Sequence, residues 1–176
     1  MSDARDQITK VAVVALLGGA VAFGVLEGNG AGRVPRGKSA PEFKVERLTG
    51  GDTTLADFKG KVVMVAFWGT WCGPCKEEMP HLVQLADEYK DKGATLLAIN
   101  DYNEEHENMP QFVDHELPRL KPYAAWGNES VYASYGIEAF PTLYVLDGHG
   151  SVVASWQGLA AIERVQAAVD KGLKRN

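Results

Sequence analysis

The chain has few cysteines and no excess of positive charge. Its 176 residues include two cysteines, and 18 Lys and Arg stand against 23 Asp and Glu, for a formal net charge of -5. Two cysteines cannot form the disulfide framework of a small secreted domain, and a chain of this length buries enough apolar surface without one. The negative charge argues against a general nucleic-acid-binding protein, because such proteins present a basic face to the phosphates.

Internal repeats and low-complexity tracts are also missing from the sequence. The chain is 45% hydrophobic and 23% charged, which is typical of a soluble globular protein and not of a disordered one. Its length fits one domain of ordinary size with a tail.

One long apolar run stands near the N-terminus, where residues 11–26 read VAVVALLGGAVAFGVL without a charge. As a helix this run spans about 24 Å at about 1.5 Å per residue, slightly less than the hydrocarbon core of about 30 Å. We predict a tail over residues 1–10 and a transmembrane anchor over residues 11–26. A cleaved signal peptide is an alternative, because Ala20-Val21-Ala22 has the small residues of a cleavage site. A buried core helix is a second alternative.

The run is followed by a Gly-rich stretch over residues 27–40, EGNGAGRVPRGKSA, which we interpret as a flexible linker. The folded domain is then expected over residues 41–176. Basic residues flank the apolar run on both sides, so the positive-inside count is close to even and slightly against export of the C-terminal part. They are Arg5 and Lys10 before the run, and Arg33, Arg36 and Lys38 after it.

Strand and helix patterns alternate through the rest of the chain. A strand hairpin is expected over residues 43–48 and 53–55, with its turn at Gly50-Gly51, and the later elements follow at ordinary spacing. We expect strands over residues 62–68, 94–99, 123–126, 142–146 and 152–156, and helices over residues 74–92, 109–117, 129–135 and 160–173. This order predicts an α/β sandwich with a mixed sheet.

Both cysteines lie in one stretch, residues 67–80, FWGTWCGPCKEEMP. Cys72 follows a buried strand and precedes a helix, so its sulfur is expected at a helix N-terminus, where unpaired N–H groups favour the thiolate. Cys72 is therefore the predicted nucleophile of disulfide exchange. Cys75, one helical turn later, is the predicted resolving cysteine, and Gly73 and Pro74 keep the turn between them tight.

A metal site is not supported, because structural zinc needs four ligands and usually a second Cys or His pair. The histidines are His81, His106, His115 and His149, and none forms an H-x-x-x-H pair. We predict no metal and no cofactor beyond the redox-active Cys72–Cys75 pair.

The segment Trp71-Cys72-Gly73-Pro74-Cys75 resembles the active site of the thioredoxin superfamily. Pro80 falls where those proteins kink their active-site helix. Phe140-Pro141-Thr142 resembles the cis-proline loop, which implies that Phe140 and Pro141 contact the substrate. Trp71, Gly73 and Pro74 would form the active-site turn.

A finer resemblance is to the TlpA/ResA-like branch. It rests on Pro41-Glu42-Phe43, on residues 55–61, LADFKGK, and on the long interval between Cys75 and Pro141, and it covers residues 41–171. The resemblance implies a thioredoxin-like three-layer sandwich, with a central mixed β-sheet flanked by helices, an N-terminal hairpin and an inserted βα element.

The same branch consists of bacterial thiol–disulfide reductases, usually tethered to the membrane and facing the periplasm. The resemblance thus implies a membrane-anchored monomer with its catalytic domain on the periplasmic face, or a secreted periplasmic form if the N-terminus is cleaved. It would take electrons from a membrane thiol relay and reduce disulfides of exported client proteins, and we expect no nucleic-acid partner. Gly73 and Pro74, as in thioredoxin, favour the reducing direction. The client stays open among apocytochrome c, another oxidoreductase and misoxidised proteins in general.

The sequence departs from the thioredoxin pattern at Ala66, where those proteins carry a buried Asp. A carboxylate that handles the proton of Cys75 must then come from elsewhere. ResA-like proteins place a Glu shortly after the next strand, which makes Glu104 and Asp101 candidates. A solvated loop carboxylate is the alternative for each.

Two other functions stay open at this stage. A thiol peroxidase of the redoxin group is one, although Thr70 stands two residues before Cys72, where that group has Thr three residues before its cysteine. A non-enzymatic copper-handling protein is the other, although such domains usually space the cysteines one residue further apart.

Overall fold

The computed structural model describes residues 33–176. The predicted tail, the predicted anchor and residues 27–32 of the predicted linker lie outside the described residues. Within residues 33–176, no helix is long and apolar enough to cross a membrane.

Seven strands and four α-helices make up the described part of the chain, and short 3₁₀ turns over residues 55–58, 90–92 and 118–120 connect some of them. The strands are β1 (Lys44–Glu46), β2 (Asp52–Thr54), β3 (Val62–Trp68), β4 (Ala94–Asn100), β5 (Ala124–Trp126), β6 (Thr142–Leu146) and β7 (Val152–Gln157). The helices are α1 (Gly73–Tyr89), α2 (Asn108–His115), α3 (Glu129–Tyr135) and α4 (Ile162–Leu173).

A five-stranded mixed sheet in the order β5-β4-β3-β6-β7 forms the centre of the domain, and β1 and β2 form a separate hairpin. Strands β3, β4 and β5 are parallel, whereas β6 runs antiparallel to β3 and β7. All seven residues of β3 are buried, as expected for a central strand covered on both faces.

Side chains of β3 alternate between two hydrophobic clusters, because successive residues of a strand point to opposite faces. Met64 and Trp68 pack on one face with residues of α1, α2 and α4. Val65 and Phe67 pack on the other face with the hairpin and α3. These layers confirm the predicted three-layer, thioredoxin-like sandwich.

The predicted elements are confirmed with small changes at their ends. The first hairpin strand is shorter than expected, the second is shifted by one residue, and the last helix begins at Ile162 rather than at residue 160. Gly93 ends the α1 region with a left-handed conformation, φ 90°, which glycine adopts without a steric penalty. The region predicted to hold an inserted βα element contains β5 and α3, with α2 before them.

The expected domain boundary at Pro41 needs correction, because residues 34–40 of the predicted linker are part of the fold. Gly37 N–H donates to Val152 O (2.8 Å) and Val152 N–H donates to Lys38 O (2.9 Å). Val34 and Ala40 are buried. The Gly content suggested flexibility, but pairing with the first residues of β7 orders this segment.

Candidate active site

The two cysteines lie where β3 ends and α1 begins. Because β3 and β4 are parallel, their carboxyl ends share one edge of the sheet, the usual place for a functional site in such folds. Cys72 has extended backbone angles and caps α1, and Pro74 stands in the first turn of that helix, where its missing N–H is not needed. The predicted strand, turn and helix around the motif are confirmed.

The two sulfur atoms are joined in a disulfide. Cys72 Sγ also accepts a hydrogen bond from the backbone N–H of Cys75 at 3.2 Å. Both cysteines are buried in the disulfide form, Cys72 at 4% exposure and Cys75 at 0%, so the small area that the pair shows to solvent belongs to Cys72. The predicted roles of Cys72 as nucleophile and Cys75 as resolving cysteine stay predictions.

The turn before Cys72 is held by carboxylates that follow β4. Glu104 accepts hydrogen bonds from the backbone N–H of Thr70 (3.0 Å) and from Asn100 Nδ2 (2.8 Å). The Thr70 hydroxyl donates to Glu104 as well. Glu104 therefore fixes the position of the turn, while its predicted role in proton handling stays a prediction.

Asp101 contributes to the same arrangement through the indole of Trp71, whose Nε1 donates to Asp101 Oδ2 at 3.3 Å. The indole lies over Gly69, where a Cβ atom would come within 2.7 Å of Trp71 Nε1. Gly69 thus leaves room for the indole, a role that the sequence pattern did not reveal. Trp71 remains 61% exposed and borders the disulfide.

The peptide bond between Phe140 and Pro141 is cis, as the resemblance implied. This loop adjoins the active-site turn, because the Phe140 and Trp71 rings meet edge to face with centroids 5.3 Å apart. Pro141 O accepts a hydrogen bond from Gly158 N–H at 2.8 Å. The structure thus brings every predicted site residue to one end of the sheet, and the substrate contacts of Phe140 and Pro141 stay predictions.

Glu78 is a buried carboxylate that the sequence analysis missed. It is 5% exposed and lies one helical turn after Cys75, on the same face of α1. Its Oε1 accepts a hydrogen bond from Ala160 N–H at 3.0 Å. Burial raises the pKa of Glu78, and this hydrogen bond only partly opposes the rise. The signal in the sequence was a charged residue inside the apolar stripe of α1.

Ala66 occupies the position where a thioredoxin-like Asp was expected. It is buried in the same cluster as Cys75, between Ala98 of β4 and Leu143 of β6. These two strand neighbours are apolar and offer no side-chain hydrogen-bond partner to a carboxylate at position 66. A buried carboxylate of this region is Glu78, which belongs to α1 and not to β3.

Metal ligands do not gather at this site. Within residues 33–176, no group of three or more His, Cys, Asp or Glu side chains is placed to hold a metal ion. The chemistry available to the described residues at this end of the sheet is that of two sulfurs and three nearby carboxylates, which suits disulfide exchange.

Comparisons with known proteins agree with this site. The AhpC/TSA family model matches residues 36–155. The thiol-disulfide oxidoreductase ResA of Bacillus thuringiensis (strain Al Hakam) is 34% identical over 164 residues, which cover 92% of this chain and 94% of the relative. The thioredoxin-like protein YneN of Bacillus subtilis is 34% identical over 119 residues, covering 68% of this chain and 69% of that protein.

A solved structure agrees as well. The thiol:disulfide interchange protein of the thioredoxin family from Chlorobium tepidum superposes with a TM-score of 0.69 at 25% identity, covering 80% of this chain and 99% of that one. The chain therefore belongs to the AhpC/TSA family, and it is a ResA/TlpA-like thiol–disulfide oxidoreductase of the thioredoxin superfamily.

Proposed function

We propose that this oxidoreductase works as a reductase of disulfides in exported proteins. The observation that carries the proposal is the disulfide at the start of α1, where Cys72 caps the helix, accepts the N–H of Cys75 and holds the small exposed area of the pair. A Cys72 thiolate at the helix N-terminus attacks a client, and the more deeply buried Cys75 then completes the exchange.

The cycle balances in two steps. The Cys72 thiolate attacks one sulfur of the client disulfide, and the other client sulfur leaves as a thiolate. The Cys75 thiolate then attacks Cys72 Sγ, the second client sulfur leaves, and the Cys72–Cys75 disulfide forms. The client gains two electrons and the enzyme loses two, so a reduced thiol donor must restore the dithiol before the next turnover.

Before Cys75 attacks, its thiol must lose a proton, because the thiolate is the nucleophile. We assign this proton to Glu78, since a carboxylate with a raised pKa one turn away on the same helix face accepts it in buried surroundings. Glu104 and Asp101 remain alternatives, but both already hold the turn before Cys72.

The direction of exchange is tested by the reduction potential of the Cys72–Cys75 pair. The reduction potentials of known Cys-x-x-Cys pairs range from about -270 to -120 mV, and a difference of about 30 mV corresponds to about 1.4 kcal/mol. We expect a value near the reducing end, measured by equilibration with glutathione or a dithiol buffer. A value near the oxidising end would overturn the reductase assignment.

The clients are identified by trapping. A Cys75→Ser variant should accumulate mixed disulfides through Cys72, because the second step is blocked, and mass spectrometry then names the bound proteins. Cys72→Ser is the matched control and should trap none. Peroxide consumption without a disulfide substrate would favour the peroxidase alternative instead.

The predicted anchor over residues 11–26 and the periplasmic position form part of the same proposal. An impermeant thiol reagent applied to intact cells should label the wild type after mild reduction. The Cys72→Ser/Cys75→Ser double variant gives the background signal. Labelling only after cell lysis would place the catalytic domain in the cytoplasm and exclude exported clients.

A further inference from the structure

A row of aromatic side chains leads away from the active-site turn. This aromatic row consists of Trp71, Phe140, Tyr132 and Tyr102, and its successive ring centroids lie 5.3, 5.9 and 5.0 Å apart. Trp71 and Tyr102 stand at its two ends, and both are among the exposed large apolar residues of the domain. Exposed aromatic surface beside a reactive sulfur marks a place where a partner packs.

The far end of the row opens into a cleft of about 460 Å³. The aromatic walls of this acidic cleft are Tyr102, Tyr132 and Phe140, and its carboxylates are Asp101, Glu129 and Glu138. Lys and Arg do not occur among its lining residues. The cleft therefore combines aromatic faces with one sign of charge.

Two of these carboxylates are free of side-chain partners in the described part of the chain, and Glu129 also stands in the first turn of α3. Within residues 33–176, neither Glu129 nor Glu138 forms a side-chain hydrogen bond or ion pair, whereas the exposed Asp52 and Asp114 pair with lysines. Asp101 lies deeper and is already bonded to Trp71. Low-dielectric walls strengthen the field of like charges in a concave site, so the cleft attracts a cation.

We propose that the aromatic row and the acidic cleft bind an extended client segment that carries an arginine or lysine near its cysteine. This inference rests on the proposed function, because the client must be a protein. The cation lies against tyrosine faces within reach of the carboxylates, a combination of cation–π and charge attraction. Since an extended chain advances about 3.3 Å per residue, the basic residue falls within about five residues of the client cysteine.

The test uses three peptides of one sequence, each with a single cysteine joined in a mixed disulfide to a chromophoric aryl thiol. The peptides differ only at the positions three and four residues before and after the cysteine. One peptide carries Arg at these positions, the second Gln and the third Glu. The reduced protein should release the aryl thiolate from the Arg peptide about tenfold faster than from the Glu peptide, which is about 1.4 kcal/mol. Salt should shrink this ratio, because it screens exposed charges.

Variants of the cleft then locate the preference. Glu129→Gln/Glu138→Gln should reduce the Arg-to-Glu rate ratio to about two or less. For each variant, the rates with the Arg and Glu peptides are divided by the rate of the same variant with the Gln peptide. The matched control is Glu88→Gln/Asp91→Asn, which removes the same charge around the other end of α1 and should keep the ratio.

Two results overturn the inference alone. One is equal rates for the three peptides with the wild type, and the other is a loss of preference in the control variant as large as in the cleft variant. If the wild type reduces none of the peptides, the proposed function falls, and the client preference falls with it.

Discussion

At the scale of single residues, the site depends on where each polar atom is buried. Cys75 has no contact with water, and Glu78 is the carboxylate one turn away on its helix. Removing a carboxylate from water disfavours its charged form, which is why the pKa of Glu78 is raised. Proton transfer is most efficient when the pKa of the acceptor approaches the working pH.

The raised pKa of Glu78 makes stability depend on pH. The folded protein keeps the Glu78 proton to higher pH than the unfolded chain does, so folding is stabilised at low pH. This stabilisation is lost as the pH rises from about 4.3, the ordinary pKa of a Glu side chain in the unfolded chain, through the raised pKa of Glu78 in the folded protein. In urea unfolding of the oxidised protein, the stability of the wild type relative to Glu78→Gln should therefore fall across that interval.

Glu77→Gln is the control for this measurement, because Glu77 is the exposed neighbour of Glu78 on α1. A relative stability that varies equally with pH in this variant would contradict the argument from burial.

The catalytic role of Glu78 gives a separate expectation. General base catalysis usually contributes about 100-fold or more, so Glu78→Gln should slow the resolving step by about 100-fold and let mixed disulfides accumulate. Stopped-flow reduction of a peptide disulfide over a range of pH measures this step. An unchanged pH profile would exclude Glu78 as the base, and the same profile for Glu104→Gln would then test the alternative.

At the scale of elements, close packing of loops at the end of the sheet positions the site. Gly127 stands between β5 and α3, and a Cβ atom there would come within 2.1 Å of Asn100 O at the end of β4. Asn100 in turn donates to Glu104, which holds the turn before Cys72. The lack of a side chain at one loop position thus allows the contacts that order the active site.

Replacing Gly127 by Ala should lower the free energy of unfolding by about 1–3 kcal/mol, because a backbone carbonyl cannot move aside without disturbing the sheet. Chemical denaturation of the oxidised protein measures the change. Gly73→Ala is the control, since a Cβ at Gly73 meets nothing within 4 Å and alanine favours the helix. Equal stability of the Gly127→Ala variant and the wild type would contradict the predicted clash.

At the scale of the whole molecule, the folded unit extends further towards the N-terminus than composition indicated. Residues 34–40 lie along the start of β7 and bury Val34 and Ala40. The N–H of Val34 also donates to the hydroxyl of Tyr144, at 3.3 Å. Any flexible tether to a membrane therefore ends before Val34 and not at Ala40.

A chain that begins at Pro41 should be less stable than one that begins at Arg33. It lacks the four hydrogen bonds that join residues 34–40 to the rest of the domain, each with a net value of about 1 kcal/mol, and it lacks the buried side chains of Val34 and Ala40. We expect a loss of about 3 kcal/mol or more in urea unfolding. The control is the longer chain with the exposed Arg36 replaced by Ala, which should be as stable as the unsubstituted longer chain. Equal stability of the two chain lengths would place the boundary at Pro41 after all.

The sequence by itself determined the order of strands and helices, the position of Cys72 at a helix N-terminus, and the pairing of Cys72 with Cys75. These features follow from hydrophobic periodicity and from the spacing within one turn, which act over a few residues. The resemblance added the cis bond before Pro141, which propensity alone would not predict.

Only the tertiary structure decided which distant groups meet. In the sequence, Glu78 is one more charged residue of a helix. Its burial follows from the packing of α1 on the sheet and from the loop at Ala160, whose N–H donates to the Glu78 carboxylate. Glu104 and Asp101 reach Thr70 and Trp71 across 30 or more residues of chain, because β3 and β4 pair in parallel register. Such contacts depend on how the elements pack against one another, and no local pattern of residues encodes that packing.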